Sequence, residues 1–190
     1  MLKNLLELQR LKNLERTGWQ LRGVFRGAES VAAHSFGVSI AAMFLADELA
    51  ARGTAVDVER VLRMSLLHDW AEARVGDLPK TATEYFKAET RKRAEMAAFT
   101  DLIQGLGPGA NLYRDLYDEY EQRETLEARV VKAADIIDLL VQVLALERAG
   151  ARGLDEFWGV VDQADFGLEG TAKQTVERVL QELLSARSSI

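Results

Sequence analysis

The stretch LLHDWAEARVGDLP, residues 66–79, places His68 and Asp69 side by side, sets Glu72 one turn later, and closes on Gly76 and Asp77. Upstream of it Val61, Met64, Leu67 and Ala71 recur at helical spacing, and Asp57 stands where an N-cap belongs. The pattern predicts one helix over residues 58–75 that stops at Gly76 and carries His68, Asp69 and Glu72 on its C-terminal half. Neighbouring residues on a helix diverge by about 100°, so His68 and Asp69 reach a common ion only at their shared edge, and other helices must complete such a site. Glu72 shares the face of His68.

Working outward, the second of the chain's two histidines, His34, lies in ESVAAHSF. Ser30 is a good N-cap, and Val31, Val38, Ala41, Ala42 and Leu45 predict a helix to about Ala51, before Gly53. His34 then falls in its first turns. Nearer the N-terminus, Leu2, Leu5, Leu6, Leu8, Leu11 and Leu14 fall largely on one side of a helix that ends in the turn-like RTGWQLRG. Beyond Pro79, a segment from about Thr83 to Leu106 reads as helix, ended by GLGPG, with KAETRKR as a solvated face. NLYRDLYDEYEQ predicts a short acidic helix. Val130, Ala134, Ile137, Val141 and Leu144 predict a buried helix from about Thr125 to Ala149 that carries Asp135 and Asp138. The loop ARGLDEFWGV leads to a final amphipathic helix over about 168–186, packed on the core. No stretch alternates as a strand would, and no repeat is visible.

Composition agrees with an all-α chain. Two prolines in 190 residues and 48% hydrophobic residues fit one helical domain over residues 1–190, its motifs within about 16–146, with a metal site between core helices. With no cysteine there is no disulfide framework and no thiolate site, so nitrogen and oxygen must hold any metal. Charges interrupt the first nineteen residues too often for a secretory signal or a membrane span, so a cytoplasmic location with no membrane partner is expected. A net charge of −6 argues against gripping a nucleic-acid backbone, while a small anionic substrate fits if positive groups converge locally.

His34, His68, Asp69 and Asp135 together offer two imidazole nitrogens and two carboxylates, a set suited to one divalent transition metal ion (Mn, Co, Fe, Ni or Zn) with positions left open. Each also has a plainer reading. His34 fits a hydrogen-bonded core residue, and Asp135 fits a surface acid, although an unpaired carboxylate inside VVKAADIIDLL is costly to bury. Glu72 fits an exposed helix glutamate, and Asp77 fits a cap as well as a substrate contact. Arg16, Arg22, Arg26, Arg74 and Lys80 fit surface charges, of which phosphate recognition requires one or two turned inward. Trp19 fits a core aromatic or a platform for a base or sugar.

ESVAAH ending at His34, HDWAEARVGDLP from His68 and KAAD ending at Asp135 together resemble the HD-domain metal-dependent phosphohydrolases, and within them the 5′-deoxynucleotidase branch, over about Arg16 to Leu146. That resemblance implies an all-helical fold, metal ligation by His34, His68, Asp69 and Asp135, a catalytic role for Glu72, a phosphate contact from Arg16, and places for Trp19 and Asp77 near the sugar. Two positions depart from the family pattern. Ala33 stands where this branch carries an acidic residue, and Thr17-Gly18 separates an arginine and a tryptophan that are adjacent in some members. HD proteins with two or three metals carry additional histidines that this chain lacks, so one ion is expected. Hydrolysis of a deoxynucleoside 5′-monophosphate follows, with Asp69 on the metal and Glu72 moving the proton. Hydrolysis of nucleoside triphosphates or cyclic nucleotides, or a non-catalytic helical module stapled by metal, are the competing readings. Aromatics near Phe86, Phe99, Tyr113 and Tyr117 suggest a helix-mediated homodimer, and alternatively complete the monomer core.

Overall fold

A computed structural model describes residues 1–83 and 85–190, with Lys80 and Thr83 described by backbone alone. Its elements run α1 (Leu2–Leu8), a 3-10 turn (Gln9–Lys12), α2 (Thr17–Gln20), α3 (Val31–Ala51), α4 (Val58–Leu67), α5 (Glu72–Val75) and α6 (Lys80–Thr83). They continue with α7 (Ala88–Ile103), α8 (Gly109–Gln122), α9 (Leu126–Arg148), α10 (Asp155–Trp158), α11 (Val160–Gln163) and α12 (Gly170–Arg187). Among the described residues there is no strand, only one antiparallel bridge between Glu15 and Ser30. No helix among them is long and apolar enough to cross a membrane. The all-α expectation holds.

Helix starts follow the capping side chains. Ser30 Oγ accepts from the Ala33 amide at 3.1 Å, Asp57 Oδ1 from Arg60 at 2.9 Å, and Thr125 Oγ1 from Ala128 at 3.2 Å. Each such cap stabilises its helix by about 1 kcal/mol.

The chain forms two compact units, residues 1–35 with 67–118 and residues 36–66 with 119–190. In the first, α1 and α5 both pack on α7, and the 3-10 turn lies against α5. Leu11, Val31 and Ala73 are buried together, covered by Leu8, Leu14 and Trp70. Beside them the ring of Phe99 stacks on Tyr117 with centroids 4.0 Å apart, and Trp70 stands 6.2 Å from Phe99 and 5.7 Å from Tyr113. The amide of buried Asn4 donates to the carbonyls of Leu102 and Gln104, which the end of α7 leaves without helical partners. In the second unit α9 is the central helix, with α12 along it. Gly37 of α3 faces Asp138 of α9 so closely that a Cβ there would lie 1.9 Å from Asp138 Oδ1, so a side chain at this position would force the Asp138 carboxylate to move. Ser65 of α4 donates to Ser39 of α3 at 3.2 Å.

Five expectations are corrected. The helix expected over residues 58–75 is two helices, because residues 68–71 form a turn between α4 and α5. The N-terminal leucines do not form one buried stripe. The chain tightens into the 3-10 turn after Leu8, which buries Leu11 but leaves Leu2, Leu5 and Leu6 exposed, and RTGWQLRG itself holds α2. The helix expected from about Thr83 begins at Ala88. The loop after α9 contains α10 and α11, where Trp158 is buried. Phe99 and Tyr117 are core residues, which takes them out of any association surface.

Candidate metal centre

The turn at residues 68–71 resolves the divergence that a continuous helix imposes. Trp70 N bonds Leu67 O at 3.0 Å, Glu72 N bonds Asp69 O at 3.1 Å, and Ala73 N bonds Trp70 O at 3.1 Å, all spaced by three residues rather than four. The tighter winding swings Asp69 toward His68, whose Nε2 lies 3.2 Å from Asp69 Oδ2. From the first turn of α3, where Ser30 O accepts the His34 amide at 3.0 Å, the His34 imidazole reaches the same oxygen, Nε2 to Oδ2 at 3.7 Å. The two rings meet edge-on with centroids 5.6 Å apart. Arg16 Nη1 stands 3.6 Å from that oxygen as well.

Both imidazoles are buried, and the Asp69 side chain keeps 16% of its surface. Burial pushes the Asp69 carboxyl upward, but His68, His34 and Arg16 outweigh it and hold the group down at about 2. It is therefore ionised throughout the working range. Among the described residues none donates a well-formed hydrogen bond to its buried Oδ2. Donor atoms bound to one ion at about 2.0–2.2 Å stand roughly 3.0–3.5 Å from one another in tetrahedral or octahedral sets. The spacing from Asp69 Oδ2 to the two imidazole nitrogens is close to that, so these three residues fit a divalent transition metal.

The remaining predicted residues separate by role. Glu72 opens α5 with Oε2 buried. Asp77 follows Gly76, whose φ of +79° turns the chain away from α5. Asp77 Oδ2 accepts from the Thr17 amide, and Thr17 Oγ1 donates to Asp77 O at 2.7 Å, so this acid clasps the start of α2. Trp19 is buried at 2% exposure and donates its indole N–H to Glu29 Oε2 at 2.7 Å. Arg16 is the predicted cation beside Asp69. Arg22 Nη1 donates to Gly18 O at 3.4 Å, Arg26 is exposed, and Arg74 pairs with Glu7 at 2.6 Å and Asp101 at 3.2 Å. The Lys80 side chain lies outside the described residues. Ala33 is exposed beside buried His34. Asp135 lies half-buried on α9 in the second unit, where Lys132 Nζ donates to its Oδ2 at 2.6 Å.

Sequence reasoning gave no role to Glu29, although it opens the ESVAAH motif. A carboxylate directly before an N-cap serine is ordinarily solvated, and the one sign of its burial is the indole N–H ten residues earlier that needs an acceptor.

A family model described as HD domain matches residues 8–163. The chain belongs to the HD domain family. This HD-domain chain is 33% identical over 157 residues to 5′-deoxynucleotidase hdd1 of Schizosaccharomyces pombe, covering 79% of the chain and 75% of that protein. It is also 33% identical over 156 residues to 5′-deoxynucleotidase HDDC2 of Xenopus laevis, covering 79% and 73%. Among solved structures it is similar to a protein of Pyrococcus horikoshii, with a TM-score of 0.84, 33% identity and coverage of 98% and 99%. Within the family it stands in the 5′-deoxynucleotidase-like branch.

Proposed function

We propose that this HD-domain enzyme releases phosphate from 2′-deoxynucleoside 5′-monophosphates at a site holding one divalent transition metal ion. The observation that carries the reading is the meeting of the His34 and His68 nitrogens and the Arg16 guanidinium on one ionised oxygen of Asp69. His34, His68 and Asp69 hold the ion. Asp135 is assigned as the fourth ligand because KAAD matches the family motif, and Lys132 restrains its carboxylate. A metal held there supplies concentrated positive charge to a phosphate oxygen and increases the acidity of water.

The chain's own groups do the rest. Arg16 carries a permanent charge and binds the phosphate dianion from the side of Asp69. Glu72 transfers the proton, either from the attacking water or to the leaving 5′ oxygen. Asp77 and Trp19 bound the sugar end, because both are anchored in the segment that carries Arg16.

A homodimer is part of the proposal, through a different surface from the aromatics considered above. Phe36 and Phe44 of α3 are 68% and 64% exposed, and with Val141 they border a groove of about 430 Å³. A face that carries both projecting rings and a groove is suited to two-fold self-association.

The experiment is phosphate release from deoxy- and ribonucleoside monophosphates, nucleoside triphosphates and cyclic nucleotides, after chelation and after return of Mn, Co, Fe, Ni or Zn singly. Release from deoxynucleoside monophosphates that depends on returned metal is expected. Preference for triphosphates or cyclic nucleotides overturns the substrate assignment. Metal-dependent stability with no hydrolysis of any phosphoester leaves the helical module as the correct reading.

A further inference from the structure

Glu29 is a buried carboxylate that the reaction proposed above does not use. It is 9% exposed and lies just before the cap of the helix that carries His34. Its Oε2 accepts the indole N–H of Trp19 at 2.7 Å, and its carbonyl accepts the amide of Arg16 at 3.1 Å. The same segment is joined to α3 by Val31 N donating to Leu14 O at 2.8 Å and by the Glu15–Ser30 bridge. On its other side Asp77 clasps Thr17. Residues 14–24 therefore form a strap across the metal face, and Arg16 Nη1 projects from it to within 3.6 Å of Asp69. The backbone bonds fix the base of the strap. The bond from Glu29 to Trp19 is a buried side-chain tie that fixes the turn of α2.

We propose that Glu29 is a positioning residue: through Trp19 it holds the strap so that the Arg16 guanidinium meets the substrate phosphate. The proposal rests on the phosphomonoesterase reading. Glu29 also has a carboxylate oxygen within 4.8 Å of a His34 ring nitrogen, so bound metal is read beside KM, and Trp19→Phe, which leaves that carboxylate in place, separates loss of the tie from loss of support to His34.

The test compares Glu29→Ala, Glu29→Gln and Trp19→Phe in the full chain, measuring kcat and KM for a deoxynucleoside monophosphate, bound metal, and the rate of tryptic cleavage after Arg16 and Arg22. Leaving a buried donor without its acceptor is worth about five- to a hundredfold, so Glu29→Ala is expected to raise KM by about that factor, with kcat changed less than about threefold. Glu29→Gln retains an acceptor for the indole and is expected to restore KM to within a few-fold. Trp19→Phe removes the donor, and because Trp19 also bounds the sugar, the tie is read from the double variant, which is expected to show no KM loss beyond that of Trp19→Phe alone. Tryptic cleavage of the strap is expected to quicken in Glu29→Ala and Trp19→Phe.

An unchanged KM in Glu29→Ala, a fall confined to kcat, or a Glu29→Gln variant as impaired as Glu29→Ala overturns the proposal. Should Glu29→Ala fail to fold, Trp19→Phe decides, and its normal KM likewise overturns it. If the wild-type chain hydrolyses no nucleotide, the functional reading fails separately, and unaltered strap cleavage in the variants then refutes the tie itself.

Discussion

Replacing Asp69 with Asn keeps the shape of the side chain and deletes the charge on which His34, His68 and Arg16 converge. The magnitude follows from the carboxyl's acidity, which the fold carries from its ordinary 3.8 down to about 2. At about 1.4 kcal/mol for each tenfold change, that is a stabilisation on the order of 2 kcal/mol just above the ordinary carboxyl value, without metal. For a chain of this size about 2–4 °C of melting temperature accompanies each kcal/mol, so Asp69→Asn melts about 4–8 °C lower in chelator. Because the folded carboxyl is the more acidic, its contribution is complete above the ordinary value and is lost as pH falls through the folded one. The gap between wild type and variant therefore closes from about pH 4 toward about pH 2.

Metal widens the gap. An ion at about one hundred times its dissociation constant stabilises the wild type by about 2.7 kcal/mol, whereas a hundredfold weaker site gains about 0.4 kcal/mol at the same concentration. Thermal unfolding followed by circular dichroism, with metal titrated into chelator-stripped protein, measures both effects. A metal-induced rise as large in Asp69→Asn as in wild type would remove Asp69 from the ligand set. A chelated gap that persists unchanged at about pH 2 would show that the electrostatic reasoning is wrong.

Glu72→Gln is expected to lower turnover by about a hundredfold or more while metal content, read by elemental analysis, stays unchanged; near-normal turnover excludes it as the proton-transfer group. Phe99→Ala removes a fully buried ring stacked on Tyr117 and should cost about 3–5 kcal/mol, seen as a lower urea midpoint. Phe44→Glu puts a charge on the exposed face of α3 and is expected to convert a dimer to a monomer in light scattering, with phosphate release per chain unchanged. A wild-type monomer, or a dimer indifferent to this change, shows that the face has another role.

The long helices were legible because their signals are local. Ser30, Asp57 and Thr125 cap where capping side chains belong, and α3, α8, α9 and α12 begin and end within a few residues of their expected positions. The interruption at residues 68–71 was hidden because Leu67 just before it and Ala71, its last residue, keep helical spacing and are both buried, so the apolar pattern runs on while the winding changes. Leu2, Leu5 and Leu6 misled for a related reason. A stripe states which residues share a face and says nothing of whether anything covers it.

At the centre, His34, His68 and Asp69 were identifiable by residue type and motif, and their meeting on one oxygen is a tertiary fact that no local pattern encodes. The plainer readings also had their share. Asp77 does clasp a helix start, Trp19 is buried, and Arg74 is spent on Glu7 and Asp101. Arg16 differs from those cations because the strap delivers it to Asp69, and a strap built from one bridge and a few long-range bonds leaves almost no trace in composition or periodicity.

The column of Trp70, Phe99 and Tyr117 gives the molecule an optical probe beside its chemistry. Trp70 is covalently next to Asp69, and its indole is held at set angles to Phe99 and Tyr113. Rings locked in a chiral arrangement produce near-ultraviolet circular dichroism that disappears when packing loosens. Binding events that shift the 68–71 turn should thus be visible in that signal with no label attached to the protein.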